Sequence, residues 1–595
     1  MPHRHCVPTL RANGSVMQPA GSLTVRVTGK GTALLPTTWS QRSNTSWHGP
    51  IDEDNYHAAG ASHELPMGCD LAAVGRAIQH VLGRHDALRS VFRTEGSGLR
   101  QVIHASGEVT VPVFETVGQD LEQDVDDAID FLCADPWNGR QWPIRFAVLT
   151  SGHPLLLVVT YNRLILDAYS AATVTQEVLK ACTGDTSELP PRWQVTEEAR
   201  YQVSADGAAA SDRSLAHWRN VLASSPSSLF DYPRPHPSGP DRYTMASIES
   251  SALGRAVLMM RRRWRVTGAT LLLSAAALVL GRYTGHRTVV MQLITANRGD
   301  RNRRHMVGSL TSQGLLRLDV GSGRFADLAH QAFRASSEAH RSGYYDPDAA
   351  QALRAEIGLQ RGACLDLGAL FNDRSTGQEA SDAEPEVSER ELRELAARDG
   401  LLDGSAAARP PEWTGSFQVY PESPTLKDAR FLMMCNYAPC LPISLFCDMT
   451  YIPLAAAKRM LGGMERVLIA AACGDLDVTE LSQISAVEPV RRDDAWVRSG
   501  DGWTDMAATA SLWRQVTGGR AATVTVEDQR LVGYLAGQGA PSPAALHAAF
   551  VTALGDRNDV HAPDWYRLVD SPPADLADAA AWRRAAVTAE GTGRP

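Results

Sequence analysis

The chain has 595 residues, enough for several domains' worth of core. Hydrophobic residues make up 44% and charged residues 21%, the composition of an ordinary globular protein. The formal net charge of −9 argues against nucleic acid as a partner.

Residues 1–33 form a polar arm with one strand expected at 23–27. The arm has no long apolar core of a secretory signal. Leu34-Leu-Pro-Thr-Thr-Trp-Ser-Gln41 reads as a loop running into a helix. Leu71, Val74, Ile78, Leu82 and Leu88 recur at helical spacing, and Val91 and Phe92 open a strand. Strands are expected at 100–103, 109–113 and 144–149, with an acidic, solvated helix at 120–130. His153 reads as a surface residue.

Residues 155–159 are an apolar run that enters a polar break at Tyr161, Asn162 and Arg163. A second run, 164–166, ends at Asp167, and a helix is expected over 170–179. A continuous apolar run of this length fits a strand buried on both faces. Either a core strand simply ends here, or its polar end lies where α/β folds place their chemistry.

A helix follows at 215–222, and the proline-rich stretches 190–191 and 232–240 read as linkers. Residues 253–264 are amphipathic. Residues 269–280 are the most hydrophobic segment, shorter than the ~20 residues of a membrane span, and read as a buried helix with a glycine stop at Gly285. A strand at 289–295, a helix at 325–339 and a strand at 365–373 follow. Residues 374–412 look like an exposed insertion with one helix at 388–398, whose apolar stripe is only Leu392 and Leu395. Strands at 431–436 and 443–449 pair, and 454–473 is a helix. The nine cysteines are scattered without a C-x-x-C, and the nearest pair, Cys435 and Cys440, has no histidine beside it. They read as reduced thiols of a cytoplasmic protein, not as a disulfide framework or zinc site. Residues 486–595 stand apart: a hairpin around Glu527-Asp528, a helix at 542–554 opened by Pro543, and a strand at 561–569.

The stretch after the central strand resembles the His-His-x-x-x-Asp-Gly signature of condensation domains of nonribosomal peptide synthetases. Asn162 and Arg163 fall on the two histidines, Asp167 on the aspartate and Ala168 on the glycine. Other landmarks come in the same order. Residues 34–41 resemble the opening motif, and Arg84-His-Asp-Ala-Leu-Arg-Ser-Val-Phe-Arg93 resembles Arg-His-x-x-Leu-Arg-x-x-Phe. His217-Trp218 resembles the His-Trp helix. Asn297-Arg298 and Val307-Gly308 stand where the family has its Asn-Arg and Val-Gly pairs, and 475–481 matches its short acidic end. The resemblance covers roughly 34–485. Residues 486–595 are similar to the small C-terminal subdomain of adenylation domains, with a generic α+β tail as the other reading. The lysine needed for adenylate formation is missing, so no ATP chemistry is expected.

The resemblance implies an α/β (α+β) fold of two chloramphenicol acetyltransferase-like lobes forming a V with a central tunnel. The expected divisions are an arm at 1–33, an N-lobe at 34–235, a C-lobe at 236–485 and a small α+β tail at 486–595. It implies partners as well: aminoacyl or peptidyl carrier proteins, or other synthetase subunits, with neither nucleic acid nor membrane. The phosphopantetheine belongs to the carrier protein, and no bound cofactor or metal is expected. In the family a donor thioester is attacked by an acceptor amine, and the second histidine deprotonates or orients that amine.

Arg163 cannot take that role, since it has five donors and no acceptor. A fixed cation there repels an ammonium and attracts a carboxylate or phosphate. Asn162 can hydrogen-bond but is no base, and Ala168 adds a methyl where glycine allows close backbone approach. X domains of glycopeptide synthetases, which recruit tailoring enzymes, are similar in carrying Arg at the second position. Asp167 is structural in the family, and Arg298 of the other lobe is its expected partner. Three functions follow. One is a stand-alone condensation enzyme working without the usual histidine, by positioning or through polar groups such as Tyr161 or Ser312. Another is a non-catalytic docking platform. The third is an acyltransferase using a soluble acceptor or CoA thioester.

Overall fold

The computed structural model describes residues 4–5, 17–31, 34–48, 58–96, 98–116, 120–135, 137, 141–186, 193–235, 239–375, 388–398, 416–420, 428–436, 441–500 and 502–595. The first lobe opens with β1 (Arg4–His5), β2 (Gly21–Thr28), β3 (Leu35–Pro36), α1 (Trp39–His48) and β4 (Ala58–Glu64). It continues through α2 (Leu71–Arg84), β5 (Ser90–Glu95), β6 (Gly98–Ile103), β7 (Ser106–Glu115) and α3 (Leu121–Cys133). Then come β8 (Ile144–Thr150), β9 (Pro154–Asn162), α4 (Ala168–Cys182), α5 (Val195–Gln202) and α6 (Ala205–Ser224). The main sheet has the order β1-β4-β9-β8-β7-β2.

Strand β9 sits in the middle of that sheet, antiparallel to both neighbours, with Asn162 opposite Ala58 and Tyr161 opposite Ile144. Its side chains alternate between two cores, as the two-residue period of a strand requires. Leu157 and Val159 pack with α2 and α4 through Val74, Ile78 and Val174. Leu156 and Val158 pack with α3 through Ala128, Ile129 and Leu132. The continuous apolar run is therefore a strand covered on both sides. Helix α3 corrects the expectation of a solvated helix: its acidic face is outward, but its other face is core. Helix α2 starts where Asp70 caps it, accepting from the Ala73 N–H at 2.6 Å.

The second lobe contains β10 (Tyr243–Ile248), α7 (Ser251–Trp264), α8 (Gly268–Thr284), β11 (Thr288–Thr295), β12 (Ser312–Asp319) and α9 (Phe325–Arg341). It also contains α10 (Pro347–Arg361), β13 (Ala369–Asp373), α11 (Glu389–Arg398), β14 (Ser416–Tyr420), β15 (Phe431–Cys435), β16 (Ile443–Asp448), α12 (Leu454–Cys473) and α13 (Val478–Ile484). Its sheet runs β12-β11-β13-β15-β16-β10-β14. Strands β11, β13 and β15 are mutually parallel. Helix α8 is apolar all round and almost wholly buried, and Gly285 ends it in the left-handed region at φ 78°. Strand β12 lies so close to α9 that a Cβ at Gly314 would overlap the Ala339 carbonyl. Among the described residues no single helix is long and apolar enough to cross a membrane.

Several expectations are corrected here. The stretch 232–240 is no free linker at its start, because Tyr232 is buried in the second-lobe core and donates to the Tyr451 carbonyl at 3.1 Å. The strand expected at 365–373 is regular only over β13. Helix α11 is not a bare exposed insertion: Leu392 is fully buried, and the helix packs on α7 and α12. Residues 190–191, 376–387 and 399–412 lie outside the described residues. The seven described cysteines are free thiols, two of them, Cys364 and Cys473, half-buried.

The tail holds β17 (Trp496–Ser499), β18 (Gly502–Asp505), α14 (Met506–Val516), β19 (Ala522–Glu527), β20 (Arg530–Ala536), α15 (Pro543–Leu554), β21 (Trp565–Val569), α16 (Ala579–Arg584) and β22 (Val587–Gly591). The sheet β19-β20-β21-β22 packs on Trp513 of α14 and Phe550 of α15, with Tyr566 of β21 in the same core. The tail docks on the second lobe through buried polar contacts. Asp231 accepts from His286 Nε2 at 2.9 Å, Arg492 Nη2 at 3.0 Å and the Trp503 N–H at 2.8 Å. Asn558 Nδ2 donates to the Phe230 carbonyl and to Asp366, both at 3.1 Å. Val487 belongs to the second-lobe core, so the chain stays packed on that lobe beyond residue 486.

Candidate functional site

The end of β9 is organised by Asn162. Its Oδ1 accepts from the Leu164 N–H at 2.8 Å, and its carbonyl accepts from Ile165 and Leu166 at 3.1 Å. A side chain bonded to its own following backbone is a turn-former, a task asparagine suits. The turn drives Leu164, Ile165 and Leu166 into the first-lobe core and delivers Asp167 to the start of α4. Ala168 is exposed at the first helical position, where the helical backbone accepts any L residue.

Asp167 caps α4 by accepting from the Ser170 N–H at 2.8 Å. It also faces the second lobe. Arg298 Nη2 lies 2.8 Å from both Asp167 carboxylate oxygens, and the Leu310 N–H donates to Oδ2 at 3.0 Å. Arg298 binds Ser170 Oγ and the Met306 carbonyl as well, at 2.8 and 2.6 Å, and lies over the Tyr169 ring at 4.4 Å. Both charged side chains are about nine-tenths buried, 7% and 6% exposed, so this pair works with little solvent screening.

Arg163 is half-buried on the same seam. Its carbonyl accepts from Asn44 Nδ2 at 3.2 Å, and that nitrogen also donates to Ser309 Oγ of the second lobe at 3.1 Å. Ser309 in turn donates its N–H to the Ile165 carbonyl at 2.6 Å and shares a 2.8 Å contact with Ser40 Oγ. Arg374 comes directly after β13. Solvent reaches Arg374, yet protein surrounds it. Burial first, and then the Arg163 charge, pull its guanidinium pKa down to about 10. His340, on the last turn of α9, feels the Asp373 carboxylate, but burial outweighs that attraction and lowers its pKa.

Of the other polar groups the sequence pointed to, Ser312 is engaged with the Gly343 carbonyl and lies 3.2 Å from Thr295 Oγ1. Tyr161 is buried in the first-lobe core. The crevice beside Ser312 is lined by Trp39, Ser40, Asn297, Leu310 and Tyr344 as well and has room for about one water, ≈ 10 Å³.

A second cross-lobe cluster was not read from the sequence. Glu198, on α5, accepts from Arg303 Nε at 2.9 Å, Tyr344 OH at 2.6 Å, Trp193 Nε1 at 2.8 Å and Gln202 Nε2 at 2.8 Å. Arg303 lies over the rings of Tyr344 and Tyr201 at 4.1 and 4.8 Å. Burial, with Glu198 beside it, holds the Tyr344 phenol well above its ordinary pKa. The arginine-rich run 298–304 was the available signal.

The condensation-domain profile matches residues 52–390, more than half of the chain and both sides of the seam. The chain belongs to the condensation-domain family. Its fold is the two-lobed, chloramphenicol acetyltransferase-like α/β fold. Chondramide synthase cmdD of Chondromyces crocatus is 26% identical over 266 residues, 42% of this chain and 7% of that one. The condensation domain of the Monacolin K polyketide synthase MokA superposes with a TM-score of 0.57 at 15% identity, covering 76% of this chain and all of that one. The X-domain in complex with OxyB from teicoplanin biosynthesis superposes at 0.53 and 15% identity, covering 79% of this chain and 98% of that one. The matched stretch is thus a small fraction of the synthases and nearly the whole of the isolated condensation-type domains. The condensation-domain match takes in the Asp167–Arg298 pair and Arg374 and leaves out the tail.

Proposed function

We propose that this protein engages carrier-protein-bound aminoacyl or peptidyl thioesters in nonribosomal peptide or related secondary-metabolite biosynthesis. The donor and acceptor arms, carrying phosphopantetheine, would meet in the tunnel between the lobes, next to the Asn162–Arg163 turn. The observation that carries this reading is the seam itself. The Asp167–Arg298 clamp between lobes is in place, while the residues on the two histidine positions are Asn162 and Arg163.

The centre then works without imidazole at that position. Asn162 spends its carbonyl oxygen on the turn, and Arg163 cannot accept a proton. Amide formation here rests on holding the acceptor amine against the thioester carbonyl. His340, on the last turn of α9 with the Asp373 carboxylate within electrostatic reach, is the side chain we assign to receive the amine proton. A second reading, a docking platform without turnover, is favoured by the Arg163 cation at the centre and by the likeness to an X-domain crystallised in complex with OxyB.

The test is the fate of a radiolabelled aminoacyl carrier-protein thioester with an amine acceptor, using wild type, Arg163→Ala, Arg163→His and His340→Ala. Label passing into a product with wild type, and less of it with His340→Ala, supports the enzyme. Carrier binding without turnover in wild type, with turnover gained in Arg163→His, supports the platform instead.

A further inference from the structure

Between Trp39 and Trp47, helix α1 carries only polar residues. It nevertheless lies across the seam, tied to both lobes. Its first residues are anchored on the first lobe, beside the Glu198 cluster. The Trp39 N–H donates to Gln202 Oε1 at 2.7 Å, and Gln41 Nε2 donates to Gln101 Oε1 at 3.3 Å. The Trp39 ring lies 4.7 Å from that of Tyr344. The rest of the helix reaches the second lobe. Ser40 Oγ donates to the Thr311 carbonyl at 2.7 Å and lies 2.8 Å from Ser309 Oγ. Arg42 Nη2 lies 3.1 Å from Asp346 at the start of α10, and Asp348 pairs with its other terminal nitrogen. Asn44 Nδ2 joins Ser309 Oγ to the Arg163 carbonyl, at 3.1 and 3.2 Å. Beneath the helix is the one-water crevice, with Trp39, Ser40 and Ser43 on its α1 side and Asn297, Ser312 and Tyr344 facing them.

The cross-lobe joints differ in kind. Asp167–Arg298 and Glu198–Arg303 are buried ion pairs, and parting either one leaves charge without solvent. The α1 joint consists of hydroxyls, an amide and an arginine whose side chain is 33% exposed, groups that water takes over at small cost. Of the three, α1 is therefore the one that can be lifted and reseated. Lifting it also frees the Arg163 carbonyl, so the turn at the candidate centre loosens with it. We propose that α1 is a strap over the seam. It swings about its Trp39 end, leaves Ser309, Asp346 and Asp348, and opens a way to the Asn162–Arg163 turn while the two buried ion pairs keep the lobes joined. What enters rests on the carrier-thioester reading above, to which the strap adds the step that admits the thioester arm.

Hydrogen exchange of the full chain reads the strap without any ligand. Wild type, Arg42→Gln and Asp348→Asn are compared at about 50 mM and about 500 mM salt. Amides of α1 are expected to exchange well before those at the start of α4, beside Asp167. Each substitution speeds α1 exchange about fivefold at low salt, the scale of a partly exposed ion pair, and high salt does the same to wild type. Ser40→Cys with Ser309→Cys then makes a lock, because the two hydroxyls stand 2.8 Å apart, within reach of a disulfide. Oxidised with glutathione disulfide, the lock slows α1 exchange below that of its reduced form. Amides of α1 that exchange no faster than those of α4, or that ignore both substitutions and salt, overturn the strap. For entry, the probe is a carrier protein bearing an aminoacyl group on a non-hydrolysable pantetheine amide. Wild type binds it with or without oxidant. The oxidised lock binds it about tenfold more weakly, and reductant restores binding. Equal binding by the oxidised and reduced lock overturns the gating. No carrier binding by wild type, with the exchange pattern as expected, removes the functional reading and leaves the strap.

Discussion

Asp167 and Arg298 join the two lobes through one guanidinium nitrogen that lies 2.8 Å from both carboxylate oxygens. The same carboxylate caps α4 and accepts the Leu310 N–H, so its loss unties a helix start and two seam contacts together. Removing one partner of a buried ion pair leaves the other charge uncompensated, at a cost of about 3–5 kcal/mol. Asp167→Ala should lower the melting temperature clearly. Arg163→Ala keeps the main-chain bond from Asn44 and should lower it much less. Matching melting curves for wild type and Asp167→Ala would show that the clamp does not hold the lobes.

Glu198 is the second clamp. Four side chains donate to it from within 3.0 Å, two of them, on Arg303 and Tyr344, from the second lobe. Glu198→Ala strands a buried guanidinium and a buried phenol, a loss of about 3 kcal/mol or more. Combined with Asp167→Ala it should give more than either alone, since the two clamps hold the same interface from separate helices. The check is the denaturant midpoint of the two single variants and the double. A double variant no weaker than Asp167→Ala would mean that Glu198 contributes nothing to lobe association.

The two clamps also show which parts of the molecule could be read from the chain. The pairing of Asp167 with Arg298 was legible because each stands in a recognisable local pattern, one after a buried strand and one in an Asn-Arg pair. Glu198 was not, since it lies in a short helix with little periodicity, and nothing local says that Arg303 and Tyr344, more than a hundred residues away, converge on it. Strong periods and glycine stops located α2, α8 and α12. Helix α10 went unread although Asp346-Pro347 at its start and Gly362 past its end are ordinary helix signals, because its apolar residues are few. Strands β10, β12 and β14 were missed for a different reason: their pattern becomes a strand only through partners far along the chain.

His561 makes the docking of the tail sensitive to acid. Its Nε2 lies 3.0 Å from Ser227 Oγ, and its N–H donates to Thr504 Oγ1 at 3.1 Å. Burial lowers its pKa, and the other charges on it are mixed: Asp231 and Asp564 raise it, while Arg361 and Arg594 lower it. The folded ring is thus held neutral, and unfolding lets it take up a proton. Between the depressed folded pKa and the ordinary value of 6.5, the unfolded chain binds more protons, so stability rises with pH. This contribution is complete above 6.5 and is lost as the pH falls below it. Burial lowers the pKa of His547, which donates to the Leu359 carbonyl at 2.6 Å across the same interface, and its effect has the same sign. Urea midpoints measured from about pH 8 to about pH 5 should fall more steeply for wild type than for His561→Gln, which cannot charge. Parallel profiles for the two proteins would place the acid sensitivity elsewhere in the chain.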